Sequence, residues 1–221
     1  MAKNIKHENA DAAVEALSKT EKFFTNHGKK LTTILILLVL AAAGGYGYYQ
    51  FVYLPDVEEA AVKTAVNEQY FIAGDFESAL MGDGSNPGLD KIMEEYGSKA
   101  PGADPLYAGI CELQLKNWEL AIKKLEEYEG EDLITKARAI ACIGHAYVGL
   151  ENYEAALASF EEAANIADNA FAADYLLNAG IVAEELGQND KALGFYKKVK
   201  DLYPNTHGAE ADRYIGRVEN K

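Results

Sequence analysis

Only two cysteines occur in these 221 residues, Cys111 and Cys142, and no CxxC pairs them. That removes the spacing of zinc ribbons and dithiol redox motifs. Sequence carries no geometry, so a bridge between the two stays open. A free cysteine packs as a small hydrophobe, and helix-core positions suit both. The four histidines, His7, His27, His145 and His207, are scattered along the chain. No G-x-S-x-G, phosphate-binding loop or H-E-x-x-H occurs. Without a nucleophile beside a base, the chain reads as a non-enzyme, with no cofactor, no metal and no small-molecule substrate.

Positive charge is scarce too. The chain has 21 Lys and Arg against 35 Asp and Glu, a net charge of −14. The shortage is uneven. Residues 1–30 hold six basic and four acidic side chains, residues 31–54 hold neither, and the rest holds 15 against 31. An acidic domain lacks the basic footprint that nucleic acid requires, and it does not suit anionic lipid. It reads as a solvated surface that resists association. Strand-like alternation is also missing, which leaves an all-α chain. One loop imitates a calcium site, with Asp83, Ser85, Gly88 and Glu94 at positions 1, 3, 6 and 12 of an EF-hand. Pro87 replaces a ligand and Asp90 an apolar residue, so a turn is expected instead.

What the chain does have is an uncharged run from Leu31 to Tyr49. As a helix it spans roughly 30 Å, the thickness of a bilayer core. A cleaved signal and a buried core helix are the alternatives. The thirty residues before the run and the aromatics Tyr46, Tyr48, Tyr49, Phe51 and Tyr53 after it favour an uncleaved anchor, ended by Pro55. Lys19, Lys22, Lys29 and Lys30 precede the run, while Asp56, Glu58 and Glu59 follow it. The N-terminus should therefore be cytoplasmic and the C-terminal domain outside, in the periplasm of a bacterium with an inner membrane. Ala41, Ala43, Gly45 and Gly47 are candidates for helix–helix contact in lipid, with chance clustering equally open. The expected organisation is a tail at 1–30, a span at 31–54 and an external domain at 55–221.

The external domain repeats. "LYAGICELQLKNWELAIKKLEEY", "ACIGHAYVGLENYEAALASFEEA" and "LNAGIVAEELGQNDKALGFYKKV" align with offsets of 35 and 36 residues. Gly109, Gly144 and Gly180 fall together, as do Ala121, Ala156 and Ala192, then Leu125, Phe160 and Tyr196. Small residues let paired helices cross closely, and the large one fills the space beside the crossing. The pattern resembles the tetratricopeptide repeat, whose period is about 34 residues. Repeats are expected near 102–135, 137–170 and 173–206. A degenerate copy carrying Tyr70, Gly74, Phe76 and Ala79 is expected at 57–99, and a capping helix at 208–219. Such stacks curl around a concave face. The tetratricopeptide register places Leu106, Ile110, Leu113, Arg138, Ala141, His145, Val148, Leu177, Ile181 and Glu184 on that face, with Asp174 and Glu185. The groove reads as apolar with an acidic margin, suited to an apolar or basic segment unless the chain's own helices fill it.

The tail "ENADAAVEALSKTEKFFTNHGKK" puts Val14, Leu17 and Phe24 on one helical side, with a stop offered by Asn26 and Gly28. This tail, the single span with its Gly- and aromatic-rich exit, and the acidic repeats are together similar to the YfgM-type ancillary subunits of the bacterial Sec translocon. The resemblance implies an inner-membrane protein whose partners are the translocon, periplasmic chaperones and secreted clients. A periplasmic scaffold for envelope assembly or cell division is the alternative.

Overall fold

A computed structural model describes residues 2–166 and 170–220, and their side chains except at 2–17, 19, 20 and 24. Val14, Leu17 and Phe24 therefore lie outside the described side chains, and residues 167–169 of the second repeat lie outside the described residues. The chain divides into two compact units, Met1–Pro55 and Asp56–Lys221. Among the described residues every regular element is a helix, joined by turns and loops, with one isolated bridge, Gly82 to Pro87.

In the first unit, α1 runs from Ala2 to Tyr48 without a break. The expected stop at Asn26 and Gly28 is not used. One glycine costs a helix about 1 kcal/mol, too little to end one that a long apolar run prolongs. Gly28 accepts from the Thr32 hydroxyl at 2.9 Å, within an uninterrupted helix. The apolar side chains of residues 34–40 stand exposed. Nor does Pro55 end the helix. A π-helical turn, Tyr49–Tyr53, leads directly into α2, Leu54–Ala73. Proline has no N–H and its ring crowds the carbonyl four residues back. The wider π turn relieves that crowding without terminating the helix.

The second unit is built of helical hairpins. α2 and α3, Phe76–Met81, form the degenerate copy, followed by α4, Leu89–Tyr96. Three repeats follow: α5 and α6 at Asp104–Gln114 and Trp118–Glu126, α7 and α8 at Leu133–Gly149 and Tyr153–Ile166, α9 and α10 at Phe171–Glu185 and Asn189–Leu202. α11, Gly208–Glu219, packs on α10. The crossing residues meet as the alignment expects. A Cβ added to Gly109, Gly144 or Gly180 would stand within 3.0 Å of Leu125, Phe160 or Tyr196 respectively. Ala121, Ala156 and Ala192 are fully buried beside them. Burying each large partner contributes about 1.5–3 kcal/mol, and only the missing side chain opposite makes room for it.

Every hairpin turns the same way. Gly74, Lys116, Glu151 and Gly187 adopt positive φ, and the next residue's N–H returns to the carbonyl five positions back. This double bond pattern is the Schellman motif that ends a helix. The second helix of a pair then starts on a side-chain cap where one is present. Asp75 accepts from the Ser78 N–H, and Asn152 from the Ala155 N–H. α2 is tied to its neighbours by polar contacts. Thr64 donates to the buried Asp104 at 2.9 Å, Asn67 donates to the Pro87 carbonyl, and Lys63 donates to the Tyr96 hydroxyl.

Candidate protein-binding groove

The first helix of each hairpin contributes to one wall, where α2, α5, α7 and α9 line a cavity of about 480 Å³. Of the residues expected on this face, Leu106, Ile110, Arg138, Ala141 and His145 line it together. The remainder do not. Leu113 and Val148 are half-buried beyond its wall. Leu177 is buried in the core of the second and third repeats, and Ile181 is half-buried beside it.

Glu184 is not a free groove residue. It accepts from the Tyr196 hydroxyl at 2.7 Å and pairs with Arg217 of α11, and its side chain is only 5% exposed. Asp174 is engaged by the His207 ring at 3.1 Å. The expected acidic margin is therefore largely consumed by the chain's own C-terminal helix and the loop before it. Ala41, Ala43, Gly45 and Gly47 lie on α1 of the first unit, and a Cβ added at either glycine would meet no other part of the described residues within 4 Å.

Sequence reasoning missed seven of the twelve lining residues. Phe71 enters from α2 and meets Tyr107 edge-on, with ring centroids 5.0 Å apart. Phe71 stands in the degenerate copy where Leu113 stands in the first repeat, so extending the groove register upstream would have found it. Tyr107 and Cys142 share another repeat position, one residue beyond Leu106 and Ala141. Ile134, Thr135, Phe171 and Tyr175 complete the wall from the starts of α7 and α9. Ile134 and Phe171 are exposed at its rim.

The electrostatics follow from this apolar setting. Burial pushes the Cys142 thiol up to about 11 and raises the Tyr175 phenol above its ordinary value. His145 packs its ring edge-on against Phe160 at 4.9 Å. Although the residue is exposed overall, burial of its ring against these neighbours lowers its pKa from the ordinary value. Cys111 and Cys142 are both free, and burial pushes the Cys111 thiol up to about 12. Neither is a thiolate nucleophile at neutral pH.

Asp83 is fixed by its own loop. It accepts from the N–H groups of Ser85 and Asn86 and from the Tyr70 hydroxyl, which hold its carboxyl well below the usual range. That is an Asx-type turn. Among the described residues no group of three or more His, Cys, Asp or Glu side chains is placed to hold a metal ion.

The tetratricopeptide-repeat family model matches residues 135–205, which run from the start of α7 past the end of α10. A comparison with curated protein sequences found no match. Among solved structures, a crystal structure of MamA protein is 21% identical with a TM-score of 0.60, covering 74% of this chain and 82% of its own. A second, of YrrB, described as a TPR protein with an unusual peptide-binding site, is 19% identical with a TM-score of 0.57, covering 76% and 82%. These likenesses show the fold. The architecture of the second unit is that of a tetratricopeptide-repeat superhelix, in which stacked helical hairpins curl around a concave face.

Proposed function

We propose that this chain is a membrane-anchored adaptor that holds segments of partner proteins in the groove between α5, α7 and α9. The observation that carries this reading is the open apolar cavity itself, whose rim residues Ile134 and Phe171 are left exposed by the chain's own helices. A contiguous apolar surface of this kind calls for a partner. The peptide-binding site of YrrB, a protein of the same fold, supports the same use of this one. α1 carries a run long and apolar enough to cross a bilayer, and the lysines that precede this run favour a cytoplasmic N-terminus and a periplasmic domain. Tethering raises the local concentration of the groove near its partners, so weak affinity is enough.

The resemblance of tail and span to the YfgM-type subunits supports a position beside the Sec translocon, with periplasmic chaperones and secreted clients as partners. Photocrosslinkers at Ile134 and at Gly45 in native membranes test this. Adducts with translocon, chaperone or secreted proteins are expected. Adducts only with envelope-assembly or division proteins would favour the scaffold alternative. Adducts from Gly45 alone would move binding away from the groove. A periplasm-dependent reporter fused behind Lys221 should be active, and a silent one reverses the orientation.

A further inference from the structure

Resting on the groove reading, we propose that the groove selects extended segments of partner proteins in which a carboxylate stands beside large apolar side chains, with Arg138 as the specificity-determining residue. The charge pattern points this way. Residues 55–221 carry 31 acidic side chains against 15 basic ones. Other cavities of the same unit hold carboxylates in their walls: Glu161 in one, Glu127 and Glu129 in another, Glu126 and Glu162 in a third. Among the described residues the groove wall holds none.

Its charged group is Arg138, which is exposed and makes no ion pair among the described residues. The chain's other two arginines are paired, Arg213 with Glu210 and Arg217 with Glu184. A guanidinium on an apolar wall, without an ion pair among the described residues of so acidic a domain, is a site for a carboxylate from elsewhere. Arginine suits the role, because its planar fork takes a carboxylate through two hydrogen bonds and sheds water readily.

The apolar half of the selection comes from Phe71, Leu106, Ile110 and Tyr175, beneath the exposed rim of Ile134 and Phe171. A basic segment would bring its cation against Arg138 with no wall carboxylate to receive it, which is rejection by like charge. This keeps the apolar part of the segment expected from the sequence and reverses the basic part. That expectation counted Asp174, Glu184 and Glu185; the chain itself engages the first two, and Glu185 is exposed but does not line the groove. The negative field of the whole domain opposes an acidic ligand at long range, but it is screened beyond roughly 8 Å at physiological salt. Selection therefore comes from the local pairing rather than from steering.

The test is a random decapeptide display library panned on the full-length chain in nanodiscs, with Arg138→Gln and the rim variant Ile134→Ser/Phe171→Ser run in parallel. Both variants change exposed side chains, and circular dichroism checks the fold. Wild type should enrich Asp or Glu next to Leu, Phe or Trp. A resynthesised hit should bind about tenfold more weakly when its acid is replaced by the amide. Arg138→Gln should erase that difference while apolar enrichment remains, and Arg138→Lys should restore part of it. Enrichment of Lys or Arg, or an acid preference that survives Arg138→Gln, overturns the proposal and leaves the groove reading standing. Hits that bind the rim variant undiminished, or no enrichment at all, overturn the groove reading with it. If added peptide instead converts a dimer to a monomer, a second copy is the occupant and the partner-protein proposal fails.

Discussion

Gly180→Ala is a one-carbon change whose cost can be worked from the crossing of α9 and α10. The new Cβ would stand 2.3 Å from Cε1 and 2.6 Å from Cζ of Tyr196. Carbon atoms pack best at about 3.5–4.0 Å, so the ring would have to retreat by about 1 Å. It is poorly placed to do so. Tyr196 is fully buried, stacked on Tyr214 with centroids 5.0 Å apart, and its hydroxyl is bound to Glu184 at 2.7 Å. Overpacking of this kind costs about 1–3 kcal/mol. Displacing the hydroxyl forfeits part of a bond to a charged acceptor, whose full contribution is about 1.5–3 kcal/mol. Alanine's better helix propensity returns about 1 kcal/mol. The net expectation is a loss of about 2 kcal/mol, by the same reckoning. Gly194→Ala, in α10 with nothing within 4 Å, should instead gain up to about 1 kcal/mol. Urea unfolding of the detergent-solubilised full chain, followed by far-UV circular dichroism, should move the two midpoints in opposite directions. Trp118 lies in the first repeat, so its fluorescence should shift less than the dichroism in Gly180→Ala. A Gly180→Ala midpoint at or above wild type would refute the close-crossing account.

Ala156→Leu should destabilise the middle repeat by about 1–3 kcal/mol, because Ala156 is fully buried where α7 and α8 cross; an unchanged melting temperature would contradict that packing. Asp104 gives a pH dependence of unusual sign. It is fully buried, and burial, opposed by the Thr64 hydroxyl and aided by the charge of Glu68, pushes its carboxyl up to about 6 from 3.8. Between these values the folded chain binds more protons than the unfolded one, so this group's contribution to stability falls as pH rises from about 4 to about 6 and is flat above. Asp104→Asn should therefore gain on wild type by up to about 3 kcal/mol between pH 4 and pH 7, read as the difference in urea midpoints. A constant difference across that range would show that the carboxyl titrates at its ordinary pH.

The repeat register was legible because a close helix crossing tolerates few residue types. Gly144 with Phe160 and Ala156 can occupy their places only if two backbones approach there, and the same logic recurs at Gly109 and Gly180. What covers a residue is a different matter. Register says which way Leu177 and Glu184 face, but not that the third repeat's core buries one or that Arg217, 33 residues later, pairs with the other. Phe171 lies between the expected repeats and Ile134 at the very end of the first, neither at a groove position of the register, so their place at the groove rim came only from the structure. Local stop signals were over-read for a different reason. Asn26, Gly28 and Pro55 each disfavour a helix by a bounded amount, and the summed preference of the surrounding residues exceeds it.

The four hairpin turns carry a lesson about drift. Two hold glycine, Gly74 and Gly187, and two hold a lysine and a glutamate, Lys116 and Glu151, all with positive φ and the same pair of backbone bonds. A side chain there incurs local strain, whereas a glycine there leaves the unfolded chain more conformations to lose. The two penalties oppose one another and are of similar size, so the position is close to neutral for folding. Its chemistry is then free to be spent on the surface. The tips of successive hairpins form a row of addresses where charge, a label or a modification site can be written, one per repeat, while the helices beneath stay unchanged.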